Sequence, residues 1–269
     1  PALGACQRWI FEHIVGPLPA TEYAHGFVTG RSCVTNAREH IGRKVLLNLD
    51  LKDFFPSIRF TRVRGLFKAF GYSGMVATLL ALLTTEPPRV AGAIAADPRQ
   101  RVFHIALGER GLPQGACTSP AITNLICRRL DYRLAGLARR FGFNFTRYAD
   151  DLSFSGDDRS SVGRLLGAVR RVLKDEGLAE HPDKTHIMGS GRRQEVTGLV
   201  VNQGVGLKRE DKRRLRAMLH NAARDGLEAQ NREQDPNFEN YLRGWVAYAV
   251  MVDPQAAESL YPALRAAVK

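Results

Sequence analysis

The chain has little of what a secreted or membrane protein needs. Its four cysteines, Cys6, Cys33, Cys117 and Cys127, form no CxxC pair, so neither a zinc site nor a disulfide framework is indicated. Small, half-buried residues are the better account of them. No apolar run approaches the ~20 residues that span a bilayer, and no signal peptide is visible. Those absences predict a soluble, cytoplasmic protein with no membrane among its partners. Internal repeats, low-complexity tracts and flexible linkers are missing too. Acid is scarce: 27 Asp and Glu face 39 Lys and Arg, a net charge of +12. An excess of that size suggests a polyanionic partner, because counterions released from phosphates drive binding. Ribosome association or a membrane surface would also use basic charge. There is no long basic tail and no basic segment with an exposed apolar face, so nucleic acid leads. What the chain does have is apolar residues, 44% of 269, ample for a core and for two or three subdomains.

Two stretches concentrate the few acids where they could do chemistry. In Phe143 to Ser155, β-forming residues flank Tyr148-Ala149-Asp150-Asp151, which reads as two short strands with the acidic pair at their turn. Adjacent carboxylates at a tight turn repel each other, and a divalent cation with its preference for hard oxygen ligands removes that cost. A solvated Asp-Asp turn is the plain alternative. Earlier, Val45 to Leu49 is an apolar run ending in Asp50, followed by Leu51-Lys52-Asp53-Phe54-Phe55. A buried strand that delivers Asp50 from its end is the simplest reading; an Asp capping the next segment is the other. Three carboxylates from neighbouring strands are what a two-metal phosphoryl-transfer centre requires.

These two segments resemble motifs A and C of the reverse transcriptases, and further motifs follow in that family's order. Ala24-His25-Gly26-Phe27-Val28-Thr29-Gly30-Arg31-Ser32 resembles its second fingers motif, in which Arg31 could reach a phosphate. A structural loop with a solvated arginine explains the same residues. Gly111 to Pro120 resembles motif B, with Gln114 and Gly115 against the incoming nucleotide, although Cys117 departs from the more usual proline. His181-Pro182-Asp183-Lys184 resembles motif D, where Lys184 would protonate the leaving pyrophosphate; an exposed lysine is the bland reading. Two weak strings, Asn36-Ala37-Arg38-Glu39-His40 and Val196-Thr197-Gly198, stand where the retron subgroup carries NAxxH and VTG.

The resemblance covers nearly the whole chain and implies an α+β right-hand polymerase. Partial fingers would occupy residues 1–44. The palm, an antiparallel sheet with helices on one face, would span 45–205, with a helical fingers insertion at 61–104. A helical thumb would follow at 206–269. Within the insertion, Val63, Leu66, Phe67 and Phe70 form one stripe and Val76, Leu79, Leu80 and Leu83 another. Pro87-Pro88 and Asp97-Pro98 break the pattern, and a strand is expected from Arg101 to Leu107. One helix carrying Ile122 to Leu137 should follow motif B, and another should carry Val162 to Leu173. The family's triphosphate-gripping strand pair precedes the segment where this sequence starts, so that part of the fingers is expected upstream.

The resemblance also assigns roles. Asp50, Leu51, Asp150 and Asp151 would hold two Mg²⁺. Leu51, Lys52, Asp53, Phe54 and Phe55 would line the deoxynucleoside triphosphate site, with Phe55 excluding a 2′-hydroxyl or else serving as a core aromatic. Thr197 and Gly198 fall at the primer grip, and Lys208, Arg209, Arg213, Arg214 and Arg216 lie on a basic helix that would follow a nucleic acid backbone. The implied product is DNA made on a structured noncoding RNA and left joined to it. Antiphage defence is the implied setting, and an effector protein a further partner. A group II intron or diversity-generating enzyme shares this chemistry. A catalytically dead RNA-binding polymerase fold and a palm-type nucleotidyl cyclase are the alternatives of other classes.

Overall fold

The structure, a computed structural model, describes residues 2–93, 102–232 and 234–268. The chain opens with α1 (Ala2–Ile10), which widens into a π-type turn at Phe11–Val15. α2 (Cys33–Arg38) starts at a reciprocal capping box between Ser32 and Thr35. Then come β1 (Val45–Asp50), the single turn α3 (Phe54–Ser57), α4 (Phe60–Ala69), α5 (Gly74–Thr84), β2 (Arg89–Ala93) and β3 (Val102–Ala106). α6 (Ser119–Ile126), α7 (Arg128–Arg140), β4 (Phe143–Tyr148), β5 (Asp151–Gly156) and α8 (Val162–Asp175) follow. The last elements are β6 (His186–Gly189), β7 (Glu195–Val196), β8 (Leu199–Val200), α9 (Arg209–Asp225), α10 (Phe238–Val252) and α11 (Ala257–Ala267). No helix among the described residues is long and apolar enough to cross a membrane.

The central sheet runs β4-β5-β1-β6 and every pairing in it is antiparallel. Period-two alternation gives it two unlike faces. Val45, Leu47, Leu49, Leu152, Phe154, Phe143 and Phe145 face α7 and α8 and form the main core with Leu130, Leu134, Leu165, Val169 and Leu173. Leu46, Asn48 and Asp50 alternate onto the opposite face, where Leu46 joins a second core. That core gathers Val34 and Ala37 of α2, Val196 and Leu199 of β7 and β8, and Leu215, Leu219, Leu242 and Val246 of the C-terminal helices. A third core unites α1, α4, α5 and α6 around Phe67, Ile58, Leu112 and Ile122.

Three expectations need adjustment. The 61–104 insertion is helical only through Thr84. After Pro87-Pro88 stops the helix, the β-branched residues around Val90 and Ile105 form a two-stranded sheet, β2 with β3. Its Asp97-Pro98 break and Arg101 lie outside the described residues. The single helix expected after motif B divides at Cys127 into α6 and α7. The β-prone run from Val196 to Asn202 is a hairpin, because Thr197 and Gly198 both take positive φ (48° and 81°), the backbone of a type I′ turn.

Beneath the main sheet lies a fully buried ion pair. Arg147 of β4 alternates inward with Phe143 and Phe145. Its Nε donates to Asp131 Oδ1 of α7 at 2.6 Å and its Nη2 to Asp131 Oδ2 at 2.9 Å, with both side chains inaccessible to solvent. The bidentate geometry holds the guanidinium charged in spite of burial, which alone would favour the neutral form. The same Asp131 Oδ2 accepts from Thr21 Oγ1 at 2.6 Å, and Arg147 Nη1 donates to Asn124 Oδ1 at 3.0 Å. Removing one partner strands a buried charge. Arg147→Met or Asp131→Asn should each destabilise the chain by about 3–5 kcal/mol. The double variant Arg147→Met/Asp131→Asn should lose less than the two single losses combined, as read by urea denaturation. Additive losses would show that the pair is not coupled.

Candidate active site

The β1–β5 register sets Asp50 directly opposite Asp151, and β4–β5 sets Tyr148 opposite Asp151. Ala149 and Asp150 therefore make a two-residue hairpin loop. Ala149 takes φ 55°, the left-handed start that such a loop needs and that glycine usually supplies. The loop is locked to β1 by Leu51 N–H donating to Asp150 O at 3.1 Å. On the other side of Asp50, His181 N–H donates to its carbonyl at 2.7 Å and Lys184 Nζ stands 3.1 Å from Oδ1. Three carboxylates and one ammonium thus share one edge of the sheet's open face.

The electrostatics follow from that crowding. Burial, then the charges of Asp150 and Asp50, push the Asp151 carboxyl up to about 6. Asp150 is raised as well, chiefly by burial and then by Asp50, with Lys184 opposing. The Lys184 ammonium is raised by its hydrogen bond to Asp50. Among the described residues no three acids, imidazoles or thiolates converge into a closed metal cage. The chemistry of the donors nonetheless fits Mg²⁺, which takes one or two carboxylates and completes its shell with water and substrate phosphates. Two half-buried carboxylates held against their preference for the neutral form are what a hard dication would relieve.

The loop's position is fixed from below and from the fingers side. Arg147 Nη1 donates to Ala149 O at 3.2 Å, and Asn124 Nδ2 donates to Gly26 O at 3.0 Å. Gly26 lies so close that a Cβ there would fall 2.5 Å from Ala149 N. His25 N–H donates to Arg147 O at 2.7 Å. His40, buried, contacts Ser155 Oγ through Nδ1 and Thr146 Oγ1 through Nε2, both at 2.7 Å, tying the two strands of the hairpin together. Burial holds its imidazole down at about 3, so it is neutral at any ordinary pH. Asn36 is also buried, and neither atom of its amide has a partner among the described residues.

The two weak strings meet in space. α2 packs on β7 and β8, and Thr197 Oγ1 lies 3.4 Å from Cys33 O. Thr197 is half-buried and Gly198 exposed at the tip of its turn. The other expected residues divide. Lys52 and Asp53 are exposed, Asp53 with φ 47° at the start of α3. Leu51 buries its side chain, leaving only backbone to face a metal. Phe54 is the core aromatic of its pair at 4% exposure, so it does not line a substrate site, whereas Phe55 is half-buried beside Phe27. Gln114 and Gly115 are exposed, Gly115 with φ 94°. Their loop is anchored at Gly111, where a Cβ would fall 2.4 Å from Pro56 O. Arg31 gives Nη1 to the carbonyls of Thr21, Glu22 and Ala24, which ties its own loop and is not the phosphate-reaching pose expected. Lys208 is paired with Glu195 at 2.9 Å and fastens α9 to β7. Arg209, Arg213 and Arg216 are exposed at i, i+4 and i+7 on one face of α9, and Arg214 lies off that stripe.

A four-stranded antiparallel sheet with helices on one face and carboxylates at a central hairpin is the palm of a right-hand polymerase. Telomerase from Candida albicans in complex with a TWJ fragment of telomeric RNA shares this fold, at TM-score 0.52 and 11% identity, covering 97% of this chain and 47% of that one. The reverse transcriptase (RNA-dependent DNA polymerase) family profile matches residues 10–212. The retron Mx65 reverse transcriptase of Myxococcus xanthus is 47% identical over 96% of this chain and 58% of its own length. The retron Ec86 reverse transcriptase of Escherichia coli is 32% identical over 96% of this chain and 71% of its own. The chain belongs to the reverse transcriptase family and, within it, to the retron enzymes. It spans little more than half of the Mx65 relative.

The raised Asp151 carboxyl makes a stability prediction. A carboxyl whose folded value exceeds its unfolded one favours the fold fully only below the unfolded value near 4. That stability is lost as pH rises through about 6. Without divalent metal, Asp151→Asn should therefore be more stable than the parent at pH 8 by about 1–2 kcal/mol, after allowing for solvent at the carboxylate. The gain should vanish by about pH 4, and Mg²⁺ should stabilise the parent more than the variant. Thermal unfolding in chelator and in Mg²⁺ across that range reads it out; equal curves would mean the carboxylate is not destabilised.

Proposed function

We propose that the chain is an RNA-directed DNA polymerase of retron type, copying a structured noncoding RNA into DNA that stays joined to it, in antiphage defence. Asp50 facing Asp151, with Asp150 in the loop between strands, carries this reading. Asp50, Asp150 and Asp151, with the Leu51 backbone beside them, would hold two Mg²⁺. The ions would supply an activated primer hydroxyl and charge relief at the leaving pyrophosphate. The protein's own residues do the rest. Lys184 holds a proton 3.1 Å from Asp50 Oδ1, on the edge where pyrophosphate would leave, and general-acid help of that kind contributes roughly 10²–10⁴-fold. Phe55 presents its half-buried ring where a ribose 2′-hydroxyl would clash. Gln114 and Gly115 border the incoming base pair. The Thr197-Gly198 turn lies beside α2 and the open sheet face, placed to touch primer or RNA. The net charge of +12 and the arginine stripe of α9 favour a nucleic acid partner. An effector protein remains a proposed further partner. The intact three-aspartate set weighs against a non-catalytic RNA-binding role.

Primer extension on an RNA template with Mg²⁺ and deoxynucleotides tests the activity. The parent chain should make DNA. Asp150→Ala should abolish synthesis and leave RNA affinity within a few-fold, because catalysis and RNA binding reside in different groups. Synthesis by the variant at the parent rate would remove the metal-site assignment.

The thumb stripe makes a separate prediction. Neutralising Arg209, Arg213 and Arg216 together should weaken binding of an RNA–DNA duplex. The salt dependence should flatten by about 0.7–0.9 log unit in slope per lost phosphate contact. Arg214→Gln alone should leave the slope nearly unchanged. A lower affinity with the parental slope would make the stripe a support for the thumb helices instead.

A further inference from the structure

Phe27 combines three properties that a loop aromatic rarely has together. Its backbone is left-handed, φ 59°, which costs of order 1–3 kcal/mol in a bulky residue and persists only when its surroundings impose it. Its side chain is 59% exposed, so no core burial repays that cost. Yet its neighbours are rigidly held. Gly26 is wedged against Ala149 N and hydrogen-bonded by Asn124, and the Arg31 guanidinium ties together the three carbonyls just upstream. The loop is therefore built to place the Phe27 ring, and its neighbour there is Phe55, with centroids 6.3 Å apart and planes at 56°.

The distribution of left-handed residues points the same way. Five non-glycine residues take positive φ among those described: Phe27, Asp53, Ala149, Thr197 and Gln234. Asp53, Ala149 and Thr197 belong to the segments after Asp50, at the acidic loop and at the VTG turn. Phe27 adjoins two of these, Ala149 through Gly26 and the Asp53 segment through Phe55.

We propose that Phe27 is the fingers-side wall of the nucleotide pocket. It holds the Phe55 ring in place and gives its free face to the incoming deoxynucleoside triphosphate. Phe55 also packs against Phe54, 5.8 Å between centroids, so two neighbouring rings constrain its tilt. A flat ring beside the sugar excludes water from the bound nucleotide and sharpens the clash with a 2′-hydroxyl through Phe55. The inference rests on the polymerase reading of the site, but it concerns nucleotide binding and can be tested without turnover.

The informative substitution is Phe27→Gly, because glycine suits a left-handed backbone and removes only the ring. The variant should unfold at a temperature equal to or above the parent's. On a primer–template ended with a dideoxynucleotide, where no bond can form, it should bind the next deoxynucleotide about tenfold more weakly, the scale of one lost aromatic contact. In extension the loss should fall mainly on KM, and the ratio of ribo- to deoxynucleotide incorporation should rise. Phe27→Tyr should restore both. Parental nucleotide affinity in Phe27→Gly would overturn the proposal. So would a loss of melting temperature and kcat with KM and sugar ratio unchanged. Should the parent bind nucleotide but make no DNA, the polymerase reading falls while the affinity comparison still decides the role of Phe27.

Discussion

The buried pair of Arg147 and Asp131 is the constraint on which the site depends. Its bidentate bond joins the β4–β5 hairpin to α7, and further hydrogen bonds from both residues reach the segments around the acidic loop. Asp131 takes the Thr21 hydroxyl and so fixes the start of the fingers loop. Arg147 takes Asn124 and the Ala149 carbonyl, and Asn124 takes the Gly26 carbonyl. Acidic loop, fingers loop and α6 are thereby referred to one guanidinium. A charge this deep is unfavourable in isolation, and the network answers that with two hydrogen bonds to Asp131 and two more to Asn124 and the Ala149 carbonyl.

The site is assembled from segments that would not choose their conformations alone. Like-charged aspartates crowd one strand edge, Ala149 takes a backbone that glycine prefers, and burial works against ionisation of Asp150 and Asp151. Each tension is local and is held by rigid neighbours: Gly26 below the loop, His40 across the two strands, Leu51 N–H on the Asp150 carbonyl. Strain maintained by an over-determined surrounding is how a protein holds side chains in one geometry that their local sequence would not choose.

Much of this could be read from residue order because the acids sit at the ends of apolar β-runs, and such runs announce strands and their turns. The sheet, the hairpin and the position of Asp50 followed directly. Arg147 did not, since an arginine in a strand usually faces water. Its parity with Phe143 and Phe145 was the available signal, placing it on the inward face, but its partner Asp131 lies on a separate helix and no periodicity links the two. Which of Phe54 and Phe55 would be core was equally undetermined, because both suit either role and only the turn of α3 separates them. The strand at Val102–Ala106 was legible in its β-branched residues, whereas its partner β2 was read as part of the helical insertion because Arg89–Ala93 is short and carries a single β-branched residue. Lys208 and Arg31 were read by charge, whereas their structural partners, Glu195 and three backbone carbonyls, are distant or unmarked in sequence.

The contact between α2 and the β7–β8 hairpin bears on how these enzymes can be recombined. NAxxH and VTG lie about 160 residues apart, yet Val34, Ala37, Val196 and Leu199 share one core and Thr197 reaches the Cys33 carbonyl. The left-handed Thr197-Gly198 turn is shaped partly by the helix beneath it. A chimera that carries the tripeptide into a foreign scaffold would transfer letters without their conformation. The unit such a chimera would have to carry is the helix and hairpin together.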